Sequence, residues 1–340
     1  MPKQIIFDKK NVLIIGGAGF VGSHLCDELV KNNRVICVDD FSSGDEKNID
    51  HLLAEPNFKF VRHDITRPLN LKEQPELQEF KIEFQGVQEV YYLACPMSPK
   101  HFDNSKVPIL LANSYGVINA LEIARQHQAK FMHFSSSVVY GPRRDSNDKI
   151  KENDLGQVDI LSERSAYDEG KRFAETIVKN YHDVYNIETK IIRLFRIYGP
   201  RMKFNDGHII PDMIANALDG KDLVIFGDHN FRSSFCYISD CIDAVIKMME
   251  GGSVGPINIG SDIDVNFVDL ANEIISMTKS RSSIKYEEPL LFFSPLCLPD
   301  ITRARNELGW MPIVPLKKGL ERTIYEIRAN KGLKSVAQAL

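Results

Sequence analysis

The stretch NVLIIGGAGFVGSHL, residues 11–25, constrains the fold more than any other part of the chain. It joins an apolar, β-branched run to a glycine-rich turn that contains Gly16, Gly19 and Gly22, and then to a helical pattern. Glycines at such a junction permit a tight turn and bring the helix close to the strand. The stretch therefore predicts the first strand and helix of a βαβ unit, with a backbone loop that can hold a pyrophosphate at the helix N-terminus.

Further apolar runs, each followed by a segment with apolar residues at helical spacing, continue along the first half of the chain. They contain few polar alternations, which is typical of strands buried on both faces of a parallel sheet. The segments between them, such as 21–32 and 109–127, have apolar residues at helical spacing. We therefore predict an α/β fold, a Rossmann-like doubly wound parallel sheet. The predicted strands after the first are 34–39, 58–64, 88–94, 130–136 and 189–195.

The rhythm loosens after about residue 195, where connections containing glycine and proline become frequent. We predict a dinucleotide-binding Rossmann domain over 1–195, completed by about 235–262. A smaller, interleaved C-terminal region for the substrate would comprise 196–234 and 263–330. Residues 331–340 are predicted to be a tail, because the chain after Arg328 is polar and lies at a terminus.

Composition argues against several classes of function. The net charge is −4 and no dense Lys/Arg run occurs, so no nucleic-acid partner is expected. No run approaches the ~20 apolar residues that span a bilayer, and the N-terminus lacks a secretion signal. We expect a cytoplasmic protein without a membrane partner. The six cysteines and nine histidines are dispersed, so no metal site is predicted.

The acid at the end of the second predicted strand indicates which dinucleotide binds. Asp39 would accept hydrogen bonds from the adenosine ribose, and Asp40 adds negative charge that would repel a 2′-phosphate. NAD is therefore the predicted cofactor, in preference to NADP. Phe20 and Val21, which lie between Gly19 and Gly22, belong to the same predicted site.

A tyrosine and a lysine form the second chemical motif. Tyr167 and Lys171 are four residues apart, so a helix places them on one face. A free phenol has a pKa of ~10, and a nearby ammonium would lower it enough for the tyrosine to act as a base. The stretch FSSSVVYG offers a hydroxyl at the end of a preceding strand. Alternation places Ser136 on one side, and Ser135 and Ser137 on the other as structural caps.

Several motifs together carry a resemblance over roughly residues 10–328. They are GGAGFVGSHL, FVRHDITRPL, YLACPMSPKHF, YDEGKRFAE and YGPRMKFNDG. The chain resembles the extended short-chain dehydrogenase/reductase family, the NAD-dependent epimerases and dehydratases of nucleotide sugars. HDITRPL, ACPMSP and YDEGKR are similar to its UDP-glucuronate decarboxylase branch. The resemblance implies an enzyme that oxidises C4 of a nucleotide-linked sugar, after which a C6 carboxylate can leave as CO2.

The resemblance also implies roles for particular residues. Ser136, Tyr167 and Lys171 would be catalytic. Asp64 and Ile65 would contact adenine, Leu93 and Ala94 the nicotinamide side, and Asn113 would support the catalytic strand end. The substrate would meet Pro96, Ser98, Arg196, Arg201, Asn205 and Arg232. The family's dimers imply a homodimer through helices 109–127 and 166–183.

The chain departs from the family at the substrate side. Val138 stands where a glutamate is usual two residues after the catalytic hydroxyl. Arg196 replaces an asparagine, while Ser233, Cys297 and His208 replace arginines. The departures keep open a nucleotide-sugar 4-epimerase, dehydratase or 4-dehydrogenase, and a non-catalytic NAD-binding protein. The intact Ser136, Tyr167 and Lys171 argue against the last of these.

Overall fold

The computed structural model describes residues 9–143, 149–227, 231–253, 255–288 and 297–337, with side chains described as far as residue 331. Fifteen strands lie in these ranges. They are β1 (Asn11–Ile15), β2 (Arg34–Asp39), β3 (Phe58–Arg62), β4 (Glu89–Tyr92), β5 (Lys130–Ser136), β6 (Lys149–Ile150), β7 (Thr189–Leu194), β8 (Ile197–Tyr198), β9 (Leu223–Phe226), β10 (Arg232–Ser233), β11 (Cys236–Tyr237), β12 (Pro256–Ile259), β13 (Val265–Asn266), β14 (Ile284–Glu287) and β15 (Leu298–Pro299).

Ten α-helices are described in the same ranges, in addition to short 3₁₀ turns. They are α1 (Phe20–Leu29), α2 (Ile82–Gln85), α3 (Phe102–Leu111), α4 (Val117–His127), α5 (Ser165–Tyr185), α6 (Ile209–Leu218), α7 (Ile238–Glu250), α8 (Phe267–Thr278), α9 (Thr302–Leu308) and α10 (Leu316–Ala337). A π-helical turn, Ala112–Gly116, joins α3 to α4.

The central sheet has seven parallel strands in the order β12-β7-β5-β4-β1-β2-β3. The α/β prediction is confirmed, and each apolar run named above forms one of these strands. Strand order reverses beside β1, because β2 and β3 extend to one side and β4 to the other. Ligands of such sheets bind in the crevice at the carboxyl ends of the strands near this point.

Both faces of the sheet are covered by helices. Alternate residues of β1 point to opposite faces, so Val12 and Ile14 contribute to one apolar core and Leu13 and Ile15 to the other. The first core includes α1 and α7, and the second includes α4 and α5. Burial on both sides explains why the strands lack polar alternation.

The C-terminal part of the chain both covers and completes the sheet. β12 pairs with β7 at its edge, whereas β9 with β14 and β10 with β13 form small separate sheets. Helices α6, α8 and α10 pack together beside them. The division into two domains remains a prediction, but it is compatible with this return of the chain to the sheet.

The end of the described chain differs from the predicted tail. Helix α10 continues from Leu316 to Ala337. Leu320, Ile324 and Ile327 are buried on one face of it. The Lys331 Nζ donates to the Ala215 carbonyl and pairs with Asp219, so contacts beyond Arg328 hold the helix against α6. Residues 338–340 of the predicted tail lie outside the described ranges.

The longest apolar helix runs from Phe102 to His127 and includes the π-helical turn. Its best 18-residue window has a mean hydropathy of 1.3, and by length and composition alone it could cross a membrane. Half of that window is buried inside the protein, where the helix lies against the sheet and α5. A core helix passes the same test, so the prediction that no membrane is involved remains untested.

Candidate active site

A cavity of about 700 Å³ opens at the carboxyl edge of the central sheet. Residues at or just after the ends of β1, β2, β3, β4, β5 and β7 line it. Residues from the connection between β8 and α6 form the opposite wall. The cavity therefore lies between the sheet and the C-terminal region, where the fold leaves space for a ligand.

The glycine loop forms one end of the cavity, and its backbone leaves no room for side chains. Gly16 has φ +85° and donates its N–H to the Val38 carbonyl at 2.8 Å. A Cβ at Gly22 would lie 2.2 Å from the Gly16 oxygen, far inside van der Waals contact. Phe20, Val21 and Gly19 also line the cavity at the start of α1. This is a helix N-terminus of the kind that binds phosphate.

Asp39 ends β2 beside this loop and lines the cavity. One carboxylate oxygen accepts from the Ala18 N–H at 2.9 Å and the other from the Phe41 N–H at 2.8 Å. Burial raises the pKa of this carboxyl group, and the two backbone donors oppose that rise. Each oxygen can accept a further hydrogen bond, as ribose hydroxyls would require.

The other residues predicted to bind the cofactor also line the cavity. Asp64, Ile65, Leu93 and Ala94 lie at the ends of β3 and β4. Asp64 has a local role as well, because one oxygen accepts from the Thr66 N–H and hydroxyl at 2.9 and 2.7 Å. The glycine turn, the acid on β2 and the apolar walls together fit a dinucleotide.

Ser136 and Tyr167 meet on the floor of the cavity. Ser136 is the last residue of β5, Tyr167 lies in the first turn of α5, and their hydroxyls share a hydrogen bond. Burial raises the pKa of Tyr167, whereas the bond with Ser136 lowers it. Two hydroxyls arranged in this way can both contact one substrate oxygen, and one of them can take its proton.

Lys171 lies one helical turn after Tyr167 on α5. Its Nζ donates to the Phe134 carbonyl at 2.8 Å, and burial lowers the pKa of the ammonium. The contributions that most lower the pKa of Tyr167 come from Ser136 and Arg164. The predicted effect of Lys171 on the pKa of Tyr167 stays a prediction.

Arg164 is a residue that the sequence reasoning missed. It precedes α5, and its guanidinium makes two hydrogen bonds with the Asp168 carboxylate, at 3.1 and 3.2 Å. Its charge lowers the pKa of both Tyr167 and Arg196. The spacing of Arg164 three residues before Tyr167 at a helix start could have indicated this position.

Ser135 and Ser137, which alternation predicts to lie on the side away from Ser136, line the cavity together with it. The Ser135 hydroxyl donates to Glu175 at 2.6 Å, and Glu175 forms a two-pronged pair with Arg193 on β7. Ser136, not its neighbours, caps the short turn that follows, by accepting from the Val138 N–H at 3.4 Å. The strand ends at Ser136, so this hydroxyl is the one nearest the free N–H groups of the turn.

Asn113 lies in the π-helical turn behind the catalytic residues. Its amide donates to the Ile109 carbonyl at 2.9 Å and contacts the Cys95 sulfur at 3.5 Å. Gly170 of α5 lies beside it, and a Cβ there would be 3.4 Å from the Asn113 side chain, an ordinary van der Waals contact. Cys95, in the ACPMSP stretch that the resemblance sets against the nicotinamide, also lines the cavity.

Three of the predicted substrate residues line the cavity: Pro96, Arg196 and Arg201. Arg196 follows β7 with φ +30°, a left-handed conformation that costs a non-glycine residue ~1–3 kcal/mol. Its carbonyl accepts from the Cys236 N–H at 3.1 Å, which holds the backbone in place. Arg201 pairs with Asp27 on α1 at 2.7 Å.

The other three predicted substrate residues lie elsewhere. The Ser98 hydroxyl donates to Asp206, and of the two only Asp206 lines the cavity. Asn205 lines a neighbouring cavity of about 570 Å³ that shares His208 with the first. Arg232 lines neither cavity and pairs with Asp264 at 2.9 Å. It points outward because Ser233, next to it on β10, takes the buried side.

The positions that depart from the family are also resolved. Val138 and His208 line the cavity. Ser233 and Cys297 are buried, and neither lines it. His208 lies 3.7 Å from Asp206, and burial lowers the pKa of its imidazole. Of the positions that depart from the family, Val138, Arg196 and His208 therefore lie in the cavity wall, beside Arg201.

The fold and this site together define the class of the protein. It is a Rossmann-fold protein whose site combines a dinucleotide-binding loop with a serine, a tyrosine and a lysine, as redox chemistry requires. Residues 12–260 match the model of the NAD dependent epimerase/dehydratase family. The chain therefore belongs to this family. It is an enzyme, and its cofactor is NAD.

Relatives with known names agree with this assignment. UDP-glucuronic acid decarboxylase 5 of Arabidopsis thaliana is 37% identical over 329 residues, covering 95% of this chain and 90% of the relative. An epimerase from Methanothermobacter thermautotrophicus has a similar structure, with a TM-score of 0.83, 26% identity and coverage of 96% and 94%. UDP-glucuronic acid 4-epimerase from Bacillus cereus, solved with UDP-glucuronic acid and NAD, has a TM-score of 0.80, 27% identity and coverage of 94% and 99%.

Proposed function

We propose that the chain oxidises C4 of UDP-glucuronate and releases CO2 from C6, as a UDP-glucuronate decarboxylase forming UDP-xylose. The observation that carries the proposal is the meeting of Ser136, Tyr167 and Lys171 in a cavity beside the dinucleotide loop. The 37% identical decarboxylase supports this substrate, and so does the epimerase solved with UDP-glucuronic acid.

Each side chain would have a defined task. The glycine loop and Asp39 would hold the NAD, whose nicotinamide would accept the hydride that leaves C4. Tyr167 would take the proton of the C4 hydroxyl, while Ser136 donates a hydrogen bond to the same oxygen. Lys171, fixed by the Phe134 carbonyl, would keep positive charge near that oxygen.

The 4-ketone makes the C6 carboxylate part of a β-keto acid. When the C5–C6 bond breaks, its electron pair moves to the C4 oxygen as an enolate, and CO2 leaves. Ser136 and Tyr167 would stabilise that enolate by hydrogen bonds. Protonation at C5 and return of the hydride to C4 then give the pentose.

A second candidate is a 4-epimerase that retains the carboxylate. Val138 favours it, because this apolar side chain lines the cavity where the resemblance implies a glutamate, and it cannot move a proton. Incubation of the purified enzyme with UDP-glucuronate separates the two. CO2 and UDP-xylose support the decarboxylase, UDP-galacturonate supports the epimerase, and an unchanged substrate removes both.

We also propose that the protein is a cytoplasmic homodimer through α3–α4 and α5. Large apolar side chains on these helices are exposed in the single chain, among them Val107 and Tyr115 on the first and Phe173 on the second. Exposed apolar side chains on neighbouring helices favour a protein interface if they form one patch. Sedimentation as a monomer at micromolar concentration would contradict the dimer. All six cysteines are free thiols, which agrees with a reducing compartment.

A further inference from the structure

A carboxylate behind the catalytic group joins the two elements that carry its hydroxyls. Tyr167, Lys171 and Glu175 follow one another at four-residue spacing on α5, so they lie on one face of the helix. Ser135 precedes Ser136 at the end of β5, and its hydroxyl donates to Glu175 Oε1 at 2.6 Å. Glu175 therefore ties the strand end that carries Ser136 to the helix that carries Tyr167.

Arg193 on β7 holds this carboxylate in place. Ser135 and Arg193 are partners in the parallel register of β5 and β7, so their side chains project from the same face of the sheet. Arg193 Nε and Nη2 donate to the two oxygens of Glu175 at 2.9 and 2.6 Å. The side chains of Arg193 and Glu175 are only 11% and 13% exposed. A two-pronged pair of this kind fixes the orientation of both groups.

The same guanidinium reaches the turn after Ser136. Arg193 Nη1 donates to the Tyr140 hydroxyl at 2.7 Å, and Tyr140 ends the short turn that follows β5. That hydroxyl donates in turn to Asn258 Oδ1 on β12 at 2.7 Å. The pair of Glu175 with Arg193 therefore holds the chain on both sides of Ser136, through the residue before it and through the end of the turn after it.

The charge of Glu175 also acts on Lys171. Burial lowers the pKa of the Lys171 ammonium, and Cys95 and Glu175 oppose that shift electrostatically. Burial raises the pKa of the Cys95 thiol, so the negative charge present at neutral pH is that of the carboxylate. Glu175 thus supports both the position of Ser136 and the charge of Lys171.

We propose that Glu175 is a positioning residue, which holds the end of β5 against α5. It thereby keeps Ser136 within hydrogen-bond distance of Tyr167. Glu175 does not line the cavity, so it acts through its neighbours and not on the ligands. The inference rests on the proposed function for the reaction that the two hydroxyls perform. A displacement of about 1 Å in reacting groups can lower a rate ~100-fold, so one bond behind them can control turnover.

The first test compares two variants that cut the same bond from either side. Ser135→Ala removes the donor and keeps the pair of Glu175 with Arg193, whereas Glu175→Gln changes the acceptor. In the NAD-loaded enzyme we expect turnover of UDP-glucuronate to fall about tenfold in each, with an unchanged KM and an unchanged affinity for NAD. The double variant should fall no further than Glu175→Gln alone, because both changes act through one bond.

The second test reads the position of Tyr167 without turnover. Tyrosine labelled with carbon-13 at Cζ gives one NMR signal for each phenol, and Tyr167→Phe assigns the signal of Tyr167. Its chemical shift depends on the hydrogen bond that the phenol makes, so Ser136→Ala provides the shift of the broken bond. We expect Ser135→Ala and Glu175→Gln to move the Tyr167 signal in the same direction as Ser136→Ala.

Glu307 on α9 provides the matched control, because it also pairs with an arginine and accepts from a serine. Arg303 Nε and the Ser253 hydroxyl each donate to it at 2.5 Å. None of these three residues lines the cavity. Ser253→Ala and Glu307→Gln should therefore change neither turnover nor the Tyr167 signal.

Several results would overturn the inference. One is an unchanged turnover or an unmoved Tyr167 signal in Ser135→Ala. Another is an additive loss in the double variant, because Ser135 would then act in the cavity on its own. A third is an equal weakening of NAD binding, because the fold would then have loosened as a whole. If Glu175→Gln does not fold, Ser135→Ala decides, since it leaves the pair of Glu175 with Arg193 intact.

The outcomes also separate this inference from the proposed function. If the unaltered enzyme leaves UDP-glucuronate unchanged, the proposed function is removed, and the Tyr167 signal in Ser135→Ala alone keeps or removes the positioning role. If the unaltered enzyme converts UDP-glucuronate and Ser135→Ala alters neither readout, the function stands and the positioning role is removed.

Discussion

The dinucleotide half and the substrate half of the cavity are built in different ways. In the dinucleotide half the backbone itself forms the wall, because a Cβ at Gly22 or Gly16 would lie within 3 Å of other backbone atoms. In the second, side chains such as Arg196 and His208 project into the cavity from connections between elements. A change in the first disturbs the sheet, whereas a change in the second alters only which group meets the ligand. The family resemblance is accordingly complete at the loop and broken at the substrate wall.

The largest expected effect tests whether the catalytic group works at all. Tyr167→Phe removes the phenol that takes the C4 proton, and we expect turnover of UDP-glucuronate to fall by ~10²–10⁴-fold. Tyr181→Phe, on the same helix but bonded to Glu122, is the matched control and should leave turnover unchanged. Product formation measured by mass spectrometry decides. Equal turnover in the Tyr167 variant would mean that Tyr167 does not take the C4 proton.

The next effect tests the rigidity of the dinucleotide half. Gly22→Ala places a Cβ 2.2 Å from the Gly16 oxygen, so the loop must move. Lost hydrogen bonds to the pyrophosphate should weaken NAD binding about tenfold or more. Gly252→Ala, where a Cβ meets open space, is the control. Fluorescence titration with NAD measures both. Unchanged NAD affinity in the Gly22 variant would mean that the loop does not hold the pyrophosphate.

The third prediction concerns the pH dependence of the free energy of unfolding, which tests the burial of His133 in the central sheet. Burial lowers the pKa of His133 on β5 well below its usual 6.5, and the charge of Lys171 adds to this. Below pH 6.5 the unfolded chain therefore binds a proton that the folded chain does not. The free energy of unfolding should fall as the pH falls below 6.5, by up to about 1.4 kcal/mol per unit from this group.

His133→Gln should remove that part of the slope between pH 6.5 and 5, as measured by urea unfolding. His63→Gln, at a partly exposed position after β3, is the control and should keep it. An unaltered slope in the His133 variant would place the acid sensitivity elsewhere.

The smallest effect tests the substrate half at a residue that the fold keeps out of the cavity. Arg232→Asn breaks a half-exposed pair with Asp264, so stability should change by no more than ~1 kcal/mol. Affinity for UDP-glucuronate should not change. A large loss of affinity in a calorimetric titration would mean that Arg232 reaches the substrate after all.

Much of this protein is determined by the sequence alone. The apolar runs specify buried parallel strands because each run lacks the alternation of a half-exposed sheet. Gly16 and Gly22 specify the loop because a Cβ at either position would lie within 3 Å of backbone atoms. The four-residue spacing of Tyr167 and Lys171 places both on one helix face. These are local or periodic properties, so they can be read without knowing what packs against them.

Only the tertiary structure decided the rest. It turned Lys171 toward the Phe134 carbonyl, brought Arg164 into the environment of Tyr167, and sent Arg232 outward while Arg196 remained in the cavity wall. Each outcome depends on contacts between segments distant in the chain, such as the register that sets Leu194 beside Ser136. The electrostatic environment of a side chain and the cavity that it lines depend on residues distant in the sequence, and a local sequence pattern does not identify those residues.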